Sequence, residues 1–92
     1  MTEYRFHWLP RGAPTTTPSL RLAAQSDRHG AALALRLFRR HGCDITAPLA
    51  HLDVTDARGN RRILMVDEIV EWLRQPDQAV FVQSEGLSEL MA

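Results

Sequence analysis

The segment from Ser26 to Gly42 constrains the fold more than any other, because it carries both a helix start and a helix stop. Ser26 or Asp27 can accept a hydrogen bond from a first-turn amide, and Gly42 suits the left-handed position just past a helix end. Between them, at about 100° per residue, Ala31, Ala34, Leu35, Leu37 and Phe38 gather on one side. Arg36, Arg39 and Arg40 gather on the other. The spacing therefore predicts a helix over 27–41 with a single apolar stripe. Gly30 weakens its first turn by about 1 kcal/mol relative to alanine, so a late start is expected. One such stripe is stable only when another layer covers it, and the rest of the chain reads as strands that do so.

Tyr4, Phe6 and Trp8 alternate with Arg5 and His7, the period of a half-buried strand, and Pro10 ends it. Leu20, Leu22 and Ala24 alternate again, predicting a second strand antiparallel to the first. The Pro/Thr-rich stretch 10–18 between them cannot sustain a ladder and is expected to be a mobile loop. After the connector Cys43–Pro48, the segment Leu49–Thr55 alternates, with Ala50, Leu52 and Val54 opposite Leu49, His51 and Asp53. Asp56–Asn60 carries turn chemistry, and Arg62–Val66 alternates on the way back, which predicts a hairpin.

Asp67 is expected to cap a second helix, with Ile69, Val70, Trp72 and Leu73 as its apolar side. Pro76 ends this helix or starts another element. Residues 77–86 fit a strand or a helix, and a helix ending near Gly86 is preferred. The tail 87–92 is expected to dock through Leu87 and Leu90. The fold class is thus α+β: a small antiparallel sheet of about four strands, packed on one face by two helices. Its order is β-β-α-β-β-α plus a C-terminal element, in one domain over 1–92.

At 92 residues the chain holds one core, burying roughly 60–65% of its unfolded surface. Self-association is an easy way to add burial at this size, so a homodimer is expected. Hydrophobic residues at 45% and charged residues at 24% exclude disorder or low complexity as the main state. The longest apolar run, Ala31–Leu35, is too short for a bilayer, so no membrane partner is expected. Met1–Arg5 lacks the basic start and apolar stretch of a signal peptide, and the single cysteine forbids an internal disulfide. A cytoplasmic protein is expected, and arginine in place of every lysine fits a GC-rich bacterial genome.

The net charge of zero conceals a polarity. Residues 1–62 hold ten arginines against five acids, a balance of +5, and residues 63–92 hold one against six, a balance of −5. Either the two segments pack together and their charges intermix, or separate charged faces drive assembly.

Candidate chemistry is sparse. His41, Cys43, His51 and Asp53 include the ligand types of a zinc site, and metal binding there is a second alternative function, but their spacing matches no zinc signature, and no metal or other cofactor is expected. Cys43 lies beyond a helix C-terminus, where the dipole disfavours a thiolate, which argues against nucleophilic catalysis. No phosphate loop, nucleophile elbow or zinc-protease helix occurs, and the chain is not expected to be an enzyme. Arg36, Arg39 and Arg40 on the helix, with Arg58, Arg61 and Arg62 at the hairpin, offer an alternative nucleic-acid grip, provided both groups point the same way. The leading expectation is a small bacterial accessory or regulatory protein that binds another protein, with Trp8, Arg36, Arg40, Arg62 and Trp72 as candidate contacts. The uncovered face of the sheet, or one of its edge strands, is where that partner is expected.

Overall fold

The computed structural model describes residues 1–9 and 19–91, so the expected loop at 10–18 lies outside the described residues. Four strands, β1 (Thr2–Leu9), β2 (Ser19–Ala24), β3 (His51–Asp56) and β4 (Arg61–Met65), form one antiparallel sheet in the order β2-β1-β3-β4. Helices α1 (Asp27–Arg40), α2 (Val66–Leu73) and α3 (Ala79–Glu85) complete an α+β fold.

Helix α1 begins and ends where its termini direct. The Ser26 hydroxyl accepts from the His29 amide, and Gly42 takes a φ of 92° beyond the last turn. Its first turn is not delayed by Gly30. That glycine is buried, and a Cβ there would meet Phe6 Cζ at 2.6 Å and the Ala24 Cβ at 3.2 Å. The missing side chain lets α1 sit directly on β1 and β2, a gain in packing that outweighs the local propensity cost.

The core is the alternation made solid. Phe6, Trp8, Leu52, Val54 and Leu64 point inward and meet Ala31, Ala34, Leu35 and Phe38 of α1. Helix α1 alone lies across β2, β1 and β3. Helix α2 packs beside it against α1 and β4, burying Ile69 and Leu73 in the same core. The short link explains this, because α2 starts at Val66, directly after β4 ends at Met65. Asp67 is consequently not its cap. It falls inside the first turn with Glu68, where the helix dipole favours a carboxylate.

Pro76 opens a 3-10 turn, Pro76–Gln78, and the next segment is helical, ending at Gly86 with a φ of 65°. A last 3-10 segment, Ser88–Met91, buries Leu90, and Leu87 just before it is also buried.

Candidate partner-binding surface

Residues opposite each other in an antiparallel pair point to the same side of the sheet. The register therefore sets Arg21, Arg5, Thr55 and Arg61 in one row across all four strands, on the side away from α1. The next row is Ser19, His7, Asp53 and Ile63. His51 and Met65 lie at the far end, where the His51 ring Nδ1 donates to the Leu49 carbonyl at 2.8 Å. Arg5, Arg21 and Arg61 are exposed, and Ile63 is 59% exposed.

Asp53 departs from this pattern at 7% exposure. A carboxylate so far from water needs a partner, and Arg61 donates to both of its oxygens. That hydrogen bonding, with the attraction of the charge, pushes the Arg61 guanidinium further above its ordinary value. The other arginine of β4, Arg62, lies on the opposite side of the sheet and pairs with Asp27 at 2.7 Å. Arg5 and Arg21 differ. Among the described residues no carboxylate lies within ion-pairing distance of either.

The arginines proposed from sequence disperse. Arg36 donates to the Glu85 carbonyl at the end of α3, and Arg39 pairs with Glu89 at 3.1 Å. These contacts join the basic helix to the acidic C-terminal segment, so the two oppositely charged parts of the chain intermix there. Arg40 is exposed in the last turn of α1, and Arg58 is exposed in the hairpin turn. Arg62 sits beside the start of α1, whereas Arg36, Arg39 and Arg40 occupy its far half, roughly 13 to 20 Å along a 14-residue helix. Arg61 and Arg62 face opposite ways. The helix group and the hairpin group thus do not make one surface.

Of the two tryptophans, Trp8 is 3% exposed and packs on Phe38 with ring centroids 5.9 Å apart, so its ring belongs to the core and is not on the surface. Trp72 is half-buried where three helices meet. His29 of α1 stands edge-on to Trp72 at 4.8 Å and to Phe81 at 4.6 Å.

The four candidate metal ligands stay apart. Among the described residues no three His, Cys, Asp or Glu side chains are placed to hold a metal ion. Asp53 is committed to Arg61, His51 to Leu49, and His41 is exposed at the end of α1. Cys43 is half-buried, and its burial raises the thiol pKa. Two carboxylates stabilise turns instead. The Thr46 hydroxyl and then its amide hold Asp44 below the usual carboxylate value, and chiefly the Asn60 amide does the same for Asp56. Among the described residues no helix is long and apolar enough to cross a membrane.

Arg5 and Arg21 were not among the residues singled out from sequence, although the signal was present. The alternation that sends Tyr4, Phe6 and Trp8 inward sends Arg5 and His7 outward. Only the strand register shows that Arg21 lands directly opposite Arg5.

No protein-family model matches this chain, and neither does any curated protein or solved structure.

Proposed function

We propose that this chain is a small non-enzymatic accessory protein that works by binding another protein, with its docking surface on the helix-free side of the sheet along β1 and β2. The observation that supports the reading is the Arg5–Arg21 pair. Like charges directly opposite each other destabilise a sheet, and here Arg5 and Arg21 are register partners on one side of it, with no carboxylate of the described residues within ion-pairing distance of either and Glu3 one row along, opposite Ala23. Arg39, Arg61, Arg62 and Arg74 each have such a partner; among the described residues Arg28, Arg36, Arg40 and Arg58 have none, but only Arg5 and Arg21 stand opposite each other across a strand ladder. A local conflict of this kind is relieved by an anionic partner, and functional sites are where such conflicts persist. Among the described residues Tyr4, Phe6 and Trp8 of β1 belong to the opposite side of the sheet, so this side keeps only the half-buried imidazoles of His7 and His51 and lacks the large rings on which unpaired bases stack best. That favours a protein over a nucleic acid.

The test is a phage-displayed random-peptide selection, run in parallel on the parent chain and on the Arg5→Glu, Arg21→Glu double variant. Peptides that bind the parent and are lost on charge reversal are expected. A parent chain that selects no peptide, or peptides held equally well by the double variant, would overturn the assignment.

A further inference from the structure

We infer that β2 is an acceptor edge to which an extended segment of the partner adds as a fifth strand, with acidic and apolar residues alternating along that segment. The inference rests on the protein-binding reading above and names the chemistry of what is bound. β2 is an edge of the sheet, paired only with β1 among the described residues, so alternate amides and carbonyls along it point away from its neighbour. Side chains of an added strand would alternate between the two sides of the sheet.

Each side asks for a different residue type. On the inner side, Leu20 and Leu22 are only half-buried, and among the described residues no further strand covers them. Beyond Ala24 the surface continues into a cleft of about 450 Å³ between β2, α1 and α3, whose apolar wall includes Leu33, Val80 and Phe81. Val80 is 78% exposed. Asp77 and Glu85 also line this cleft, so an acidic side chain would be repelled there and an apolar one accommodated. On the outer side, the position opposite Arg21 lies next to the Arg5–Arg21 pair and calls for a carboxylate. Glu3, opposite Ala23, disfavours a second acid two residues along in that direction and so helps set the register.

A second copy of the chain fits less well. Two β2 strands paired edge to edge would bring Arg5 and Arg21 of both copies onto one continuous face without adding a carboxylate beside them. The opposite edge is no substitute, because both arginines of β4 are already paired.

The probe is a short capped peptide alternating glutamate and valine. Its controls are a block peptide of the same composition and an oligothymidylate of equal charge, all titrated into the isotope-labelled full chain. The alternating peptide is expected to slow amide exchange along β2, to shift Leu20, Leu22 and Phe81 signals, and to bind roughly tenfold better than the block peptide. Arg21→Glu should remove most of that advantage without changing the spectrum of β3 and β4. No binding, or equal binding of both peptides, overturns strand addition while leaving the peptide selection to judge the function. Peptide-induced protection on β4 or α2 overturns the choice of edge. Protection of β2 that grows with protein concentration alone identifies a second copy as the occupant and overturns the acidic partner. Tighter binding of the oligothymidylate to the same face overturns both this inference and the protein-binding reading.

Discussion

The two edge strands, β2 and β4, both carry arginines, but only those of β4 meet carboxylates of the same chain. On β4, Arg61 covers the buried Asp53 and Arg62 holds Asp27 at the start of α1. Its inward leucine, Leu64, is in the core. On β2, Arg21 faces Arg5, and the inward leucines remain half-exposed. The difference lies in the neighbours of each strand. Asp53 stands beside β4 on β3, and the start of α1 brings Asp27 to the other side of the same strand. No carboxylate of the described residues is delivered to β2 in the same way. An arginine's role is therefore set by which groups the topology brings to it.

The largest test of this contrast is in the leucines. Leu64→Ala on β4 should cost about 3 kcal/mol, as for a fully buried leucine, whereas Leu22→Ala on β2 should cost about 1 kcal/mol. Urea unfolding of the two variants measures both, and equal losses would show that β2 is as enclosed as β4. Gly30→Ala comes next. The new methyl would press on the buried Phe6 ring, with a net loss of about 1 kcal/mol despite better helix propensity, because overpacking exceeds the propensity gain. Amide exchange in that variant should accelerate in β1 and β2 before β4. A stabilised Gly30→Ala chain would mean that α1 has room to lift from the sheet.

The arginines themselves should give smaller and opposite effects. Removing the like-charge contact by Arg21→Ala should raise stability by a few tenths of a kcal/mol. Arg62→Ala should lower it by about 0.5 kcal/mol, since its ion pair with Asp27 is partly exposed. Thermal melts at low ionic strength distinguish the signs.

The smallest effect is a pH response confined to the hairpin. Asp56 is held below its ordinary value of 3.8, chiefly by the Asn60 amide, so its contribution is complete above that value and lost as pH falls through the lower folded one. The Asn60 and Arg58 amides, both donors to the Asp56 carboxylate, should therefore lose protection in that acid range before those of β1 and β2. Simultaneous loss across the sheet would show that the turn does not open separately.

Much of this was present in the residues. Ser26 and Gly42 bound α1, the alternations located all four strands and sorted their residues into two sides, and Gly86 marked the end of α3, because each signal is local and acts through the backbone or through burial on one side. The same local reasoning misjudged Gly30, whose value lies in a contact with Phe6 a strand and a helix away. The two helices expected on the sheet are there, α1 across β2, β1 and β3 and α2 against α1 and β4, although an apolar stripe shows only that a helix must be covered and not by what. The candidate surface was legible only in part. The outward positions of β1 are set by alternation, whereas pairing Arg5 with Arg21 depends on register across the undescribed stretch 10–18.

The sequence by itself thus determined the kinds and order of the elements as far as Pro76, since hydrophobic period and capping chemistry depend on neighbours along the chain, and left 77–86 open between strand and helix. Only the tertiary structure decided which charges neutralise one another, because electrostatic pairing depends on distance in space. That distance separates Arg36, Arg39, Arg61 and Arg62, which join α1, the hairpin and the C-terminal segment, from Arg5 and Arg21, which face outward on β1 and β2.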